Sequence, residues 1–273
     1  MVDAISGDER APSLTTLERR RPLRFGRIVV IGGGCYGSWY TQQLARAAAR
    51  GALEVDEVIV VDRNPACTVR ARLANSAYGA LPVQVVTTTW NEFVASWLAQ
   101  GAQAVRHDAM VPSPLMPQLC LDWLISRART RWPLRTITVV PLPSPPSTPW
   151  QRAAPDGRHY VSFATWTCPV NCIEPARCPA TRGERTWSMP DAMTAYVRDQ
   201  VGTPPRTSAD TPLLRGPIIF HCTPRTFGVG MIDAIDLLNA DEDIAVLADS
   251  APLAVLVGTV SHCHGALGVL SVA

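Results

Sequence analysis

Two stretches of this chain carry residue types at spacings that perform chemistry. Gly32, Gly34 and Gly37 stand at the G-x-G-x-x-G interval, directly after an apolar run over 28–31 and directly before a helix-forming stretch over 38–50. That order predicts a tight strand-to-helix turn in which a pyrophosphate approaches bare backbone at a helix N-terminus. Cys168, Cys172 and Cys178 stand at C-x3-C-x5-C in a loop punctuated by Pro169, Pro175 and Pro179. Packing does not explain three thiols so close together, because a buried structural cysteine normally sits alone on an apolar face. The first stretch predicts a nucleotide and the second a metal or thiol site.

The elements around the glycines strengthen the nucleotide reading. A second apolar run, 58–61, ends in Asp62, where the dinucleotide fold sets an acid against the ribose hydroxyls. The interval from the glycines exceeds the usual roughly 20 residues, and a first helix extended through 47–50 absorbs the excess. Arg63 follows directly, where a 2′-phosphate would lie. Asp62 therefore favours NAD, and Arg63 keeps NADP open. A plainer role for Asp62 is to cap a helix starting near Pro65. The segments Ile28-Val-Val-Ile-Gly-Gly-Gly and Val60-Val61-Asp62-Arg63-Asn64-Pro65 resemble the NAD(P)-binding Rossmann superfamily, in particular the nucleotide-binding domains of potassium-uptake regulators and saccharopine-dehydrogenase-like enzymes. The resemblance spans residues 25–140. It implies a dinucleotide and says little of the substrate, because the fold hosts many functions. FAD proteins use the same turn, usually with Glu at the strand end, and S-adenosylmethionine enzymes use a looser version; both stay open.

The cysteine spacing is neither the usual zinc C-x2-C nor a ferredoxin run, so an iron–sulfur cluster, zinc and no metal stand as equal readings. In open parallel sheets, ligands bind outside the carboxyl ends of the strands. The cysteine loop, Cys222 and Cys263 all follow expected strand ends, so Cys222 or Cys263 is the expected fourth metal ligand, with His221, His262 or His264 as substitutes. Cys35, Cys67 and Cys120 read as ordinary small apolar residues. His107 and Asp108, after an expected fourth strand over 104–106, are the candidates for catalytic acid and base. Gly228 and Gly230, with Arg225 nearby, form a second glycine-rich loop before an expected helix over 231–239. That loop is either an anion site or, more plainly, a turn needing positive φ. The Trp166 and Trp187 pair reads as packing. No Ser-His-Asp elbow, P-loop, kinase or H-E-x-x-H motif is present.

The elements that must position these groups alternate between strand and helix patterns: helices over 65–75, 92–100, 115–128 and 191–201, and strands over 83–86, 135–140, 160–166, 218–221 and 253–259. The final stretch, 266–272, fits either. The expected class is α/β: a doubly wound, mostly parallel, Rossmann-like sheet with a second α/β region carrying the cysteine loop. The expected organisation is a disordered tail over 1–24, a dinucleotide domain over 25–140, a proline-rich linker or loop over 141–157 and a C-terminal region over 158–273. With 273 residues, 47% apolar content and a net charge of +2, the chain is globular and lacks the basic surface of a nucleic-acid binder. No apolar run approaches the roughly 20 residues of a membrane span. Eight cysteines without a signal peptide point to the cytoplasm. The functional expectation is an NAD(P)-dependent oxidoreductase-like protein with a zinc or iron–sulfur site, acting on a small molecule alone, as a homo-oligomer or with a redox partner. The alternative is a non-catalytic dinucleotide-binding redox or metal sensor.

Overall fold

A computed structural model describes residues 21–142, 144–169, 172–201, 214–249 and 251–273. The expected tail, 1–24, lies outside them up to residue 20. The chain begins with β1 (Leu23–Ile31), α1 (Cys35–Ala49), β2 (Leu53–Asp62), α2 (Thr68–Ala74), β3 (Val83–Thr87), α3 (Trp90–Leu98), the short α4 (Ala102–Val105) and β4 (Ala109–Val111). It continues with α5 (Leu119–Arg131), β5 (Ile137–Val140), β6 (Trp150–Ala153), β7 (His159–Ser162) and α6 (Met189–Val201). The last elements are β8 (Leu214–His221), β9 (Thr223–Thr226), β10 (Val229–Asp233), α7 (Ala234–Ala248), β11 (Leu253–Val260) and β12 (His264–Val272).

Among the described residues the fold is mixed α/β with two six-stranded sheets. The first runs β3-β2-β1-β4-β10-β9. Its β3, β2, β1 and β4 are parallel, whereas β10 and β9 join antiparallel. The central strands are continuous apolar runs because both faces are covered. Ile28, Val30, Val58 and Val60 pack on Leu44 and Ala47 of α1 and Val69 of α2. Val29, Ile31, Ile59 and Val61 face the opposite way, towards α3, α5 and α7. Of these, α5 and α7 also cover the inner face of the second sheet, where Ile137, Val255, Val257, Leu270 and Val272 are buried. The second sheet runs β6-β7-β12-β11-β8, with β5 also on β12. Only β8 and β11 pair parallel among its described strands. Met189, Met193 and Val197 of α6 cover its outer face. The layers are therefore helix, sheet, helix, sheet, helix.

The linear division at 140 and 158 does not follow the sheets. β5, expected to close the first unit, pairs with β12 through Ile137↔Val272. β10, from the second half, pairs with β4 through Ile232↔Met110. Residues 150–153, inside the expected linker, form β6 against β7. Several other expectations are corrected. Residues 102–105 are helical, and the fourth strand of the first sheet begins only at Ala109. A hairpin, β9–β10, occupies 223–233, so α7 starts at Ala234 and not at Met231. Among the described residues, no helix is long and apolar enough to cross a membrane.

Candidate functional site

The glycine turn is fixed by close backbone approaches. Gly32 adopts φ +90° and donates its N–H to Val61 O at 2.8 Å. A Cβ at Gly37 would lie 1.7 Å from Gly32 O, so only glycine lets α1 start this close to β1. A Cβ at Gly33 would meet Cys67 Sγ at 2.5 Å. Gly34, by contrast, faces open space. It is the N-cap of α1, with no side-chain cap and no acidic residue in the first turn. Gly34, Cys35 and Tyr36 form an exposed rim, which corrects the apolar expectation for Cys35. The N–H groups of a first helical turn have no intrahelical partners. Asp62 braces the turn: its carboxylate accepts from Gly33 N at 2.6 Å and Asn64 N at 2.8 Å. It does not cap α2, whose N-cap is Cys67. Arg63 is exposed beside it. Trp90 supports the turn from α3, donating Nε1–H to Val61 O at 3.0 Å.

A cleft of about 420 Å³ opens next to the turn. Its walls include Tyr40 of α1, Ser113 after β4, Trp150 of β6, Cys222 after β8 and His264 of β12. Ser113 Oγ lies 4.0 Å from the position of a Gly32 Cβ and joins the two features. Burial raises the Tyr40 hydroxyl to about 12, with further elevation from the neighbouring Cys222. Burial likewise pushes the Cys222 thiol to about 12, helped by Glu174. His264 Nδ1 lies 2.9 Å from Ser162 Oγ, and both line the cleft.

The cysteine loop closes the far side. Cys168, Cys172, Cys178 and Cys263 lie on the wall of a small hole of about 10 Å³, which Trp166, Glu174 and Arg185 also line. Glu174, at φ +49°, ties this loop to the β11–β12 turn by accepting from His262 N at 2.9 Å and Cys263 N at 3.3 Å. Residues 176–185 fold back on themselves through Arg185 N to Ala176 O at 2.7 Å and Cys178 N to Gly183 O at 2.9 Å. Burial and the neighbouring Cys172 and Cys178 thiols raise Cys168. Burial, reinforced by Glu174, raises Cys263 to about 11 against the N–H of Trp187. Backbone N–H donation from Thr181 holds Cys178 below its usual value. Cys222 stands apart from the hole, packed where a Gly230 Cβ would be. Among the described residues, no group of three or more His, Cys, Asp or Glu side chains meets as a ready metal-ligand set. His221 and His262 pack edge to face at 4.9 Å. Trp166 and Trp187 pack edge to face at 6.4 Å.

The structure moves other candidates away from this region. His107 and Asp108 precede β4 and lie at the N-terminal ends of β1 and β4, opposite the strand ends that carry the glycine turn. Asp108 is buried and accepts from Arg27 Nε at 2.7 Å, Arg27 N at 2.8 Å and Trp97 Nε1 at 2.9 Å. It ties β1 to α3. His107 is exposed and accepts from Arg106 Nε at 2.9 Å. Gly228 and Gly230 belong to the hairpin, and Arg225 is paired with Asp233 at 2.8 Å, so the anion reading of that loop loses its helix and its cation. Tyr40, Ser113 and Glu174 were missed as site residues. Ser113 had a signal, a Pro-Ser-Pro loop after the fourth strand; the other two had none.

Fold and site together define a mixed α/β protein in which a glycine turn on one sheet and a thiol-rich loop on the other border one cleft. Residues 120–273 match the family described as "Uncharacterized protein, C-terminal domain", and the chain belongs to that family. The match runs from α5 to β12 and takes in the whole second sheet and the cysteine loop; the glycine turn lies before it. No curated protein and no solved structure matches the chain.

Proposed function

We propose that this chain is a dinucleotide-binding, oxidoreductase-like protein that seats NAD(H) on the turn at 32–37 and a small substrate in the cleft beyond Ser113. The observation that carries the reading is the continuity of turn and cleft through Gly32 and Ser113. The order β3-β2-β1-β4 with helices on both faces supports a Rossmann-like, doubly wound reading of the first sheet, with antiparallel β10 continuing it. A nicotinamide dinucleotide, when bound, supplies hydride chemistry. The chain's own contribution is positional. Gly34 leaves room for a pyrophosphate at the start of α1, whose free N–H groups and dipole favour an anion there. Asp62, fixed by Gly33 N, offers a carboxylate to ribose hydroxyls and opposes a 2′-phosphate, which favours NAD over NADP despite exposed Arg63. FAD would use the same turn.

A non-catalytic sensor is the second reading. It is favoured by Tyr40 and Cys222, which line the junction yet are pushed to about 12 and so exchange no proton near neutrality. The test is a titration of the full chain with NADH, NADPH and FAD, followed by tryptophan quenching, since Trp90 sits against the turn. Saturable quenching by NADH is expected, and no binding by any of the three would overturn the proposal. Turnover with small carbonyl compounds favours the enzyme, whereas tight binding without turnover favours the sensor.

A further inference from the structure

We infer that His264 is the hydrogen-bond acceptor of the cleft and that it selects a small, uncharged substrate bearing a hydroxyl group. The inference rests on the cleft as the substrate site proposed above, and not on which dinucleotide the turn holds. It begins with sheet register. Ser162 pairs with His264 across β7 and β12, and with Trp150 across β6 and β7. Directly opposed residues on neighbouring strands share one face of a sheet, and all three line the cleft. Ser162 is buried, whereas His264 is exposed.

The second observation fixes the tautomer of the ring. Ser162 Oγ has three polar neighbours: Ala164 O at 2.7 Å, Ala164 N at 2.9 Å and His264 Nδ1 at 2.9 Å. A serine hydroxyl has one proton and two lone pairs. The Ala164 carbonyl can only accept, so the hydroxyl donates there. The Ala164 N–H takes one lone pair. The other is left for His264, so its Nδ1 carries a hydrogen. In a neutral imidazole a protonated Nδ1 leaves Nε2 as a bare acceptor. Desolvation lowers the His264 imidazolium below its ordinary 6.5, against the Glu174 carboxylate, which raises it. The ring is therefore neutral near pH 7. Among the described residues no group donates to Nε2. The same bonds make Ser162 a positioning residue and not a nucleophile, because its proton is held by Ala164 O.

The third observation is charge. Among the described residues Glu174 is the one charged side chain on the cleft wall, and its two oxygens are taken by His262 N and Cys263 N. A carboxylate or phosphate on the substrate would find no lysine or arginine there and would meet Glu174 instead. Tyr40 and Cys222 keep their protons near neutrality. With Glu174 engaged and those two protonated, Nε2 is the free base on this wall. Pro112, Pro114 and Trp150 supply apolar surface for a carbon skeleton.

The experiment is nitrogen NMR of the full chain labelled on histidine, at neutral pH, with His264→Phe to assign the ring. The probes are benzyl alcohol and cyclohexanol, with benzoate as the anionic match. His264 is expected to show a protonated Nδ1 and a bare Nε2. At least one alcohol should shift Nε2 saturably, and benzoate should leave it in place. His264→Phe should weaken alcohol binding about 2–10-fold, the effect of one hydrogen bond. Ser162→Ala removes the acceptor of Nδ1–H, so the ring should move towards the tautomer protonated at Nε2 and the alcohol shift should shrink. The wild-type spectra decide even if Ser162→Ala fails to fold. A protonated Nε2 in wild type overturns the inference. So does an Nε2 that neither alcohol moves, or benzoate binding as tightly as benzyl alcohol. None of these readings needs a dinucleotide, so they fail or succeed separately from the NADH titration.

Discussion

Gly37→Ala and Gly34→Ala separate the two roles of the glycine turn. At Gly37 an added methyl would lie 1.7 Å from Gly32 O and 2.8 Å from Gly32 C, both backbone atoms that cannot rotate away. The start of α1 must retreat from β1 by more than an ångström, and the packing of Ile28 and Val30 on Leu44 and Ala47 loosens with it. Overpacking of this kind costs about 3 kcal/mol, which lowers Tm by about 6–12 °C in a chain of this size class. At Gly34 the methyl meets nothing within 4 Å, and φ −77° suits alanine. Loss of a good N-cap residue and reduced freedom of the unfolded chain roughly offset, so stability changes by less than about 1 kcal/mol. The methyl does occupy the space at the start of α1 that a pyrophosphate would enter. A steric conflict of about 1–3 kcal/mol weakens NADH about 5–150-fold. The assays are thermal unfolding and NADH titration on both variants. The reasoning is refuted if Gly34→Ala binds NADH as wild type does, or if Gly37→Ala unfolds at the wild-type temperature.

Asp108→Ala leaves Arg27 without its carboxylate and is expected to cost about 3 kcal/mol, read by urea unfolding, while NADH affinity stays at the wild-type value; a selective loss of turnover would restore Asp108 as a catalytic group. Glu92 caps α3 through Thr89, and the Thr89 and Thr88 hydroxyls hold its carboxyl below the ordinary 4.5. A depressed folded value means the stabilisation is fully present above 4.5 and disappears as pH falls through the folded value. Wild type should therefore exceed Glu92→Gln in stability at neutral pH, with the gap closing below 4.5; a gap independent of pH removes the capping role.

Much of the local structure was legible because it follows from short-range physics. The apolar runs at 28–31 and 58–61 predict strands covered on both faces, and both are buried within β1 and β2. The turn between them follows from glycine spacing alone, since only residues without Cβ fit where Gly37 meets Gly32 O. The cysteine loop was recognisable as a cluster for the same local reason. What failed was long-range. Residues 104–106 look like a strand by composition, yet they complete a helical turn that delivers Asp108 to Arg27, a partner 81 residues away. Strand membership also crossed the proline-rich stretch in both directions, because β5 and β10 satisfy their edges on β12 and β4.

The sequence by itself determined the glycine turn, the acid at the end of β2 and the grouping of three thiols, because each is encoded within a few neighbouring residues. Tertiary structure decided that Cys263 and not Cys222 shares a wall with those thiols, that Glu174 clasps the two segments, and that His107 and Asp108 lie at the strand ends opposite the glycine turn. Such relations depend on strand register and on which sheet a segment joins, and both are set by packing between residues far apart in the chain.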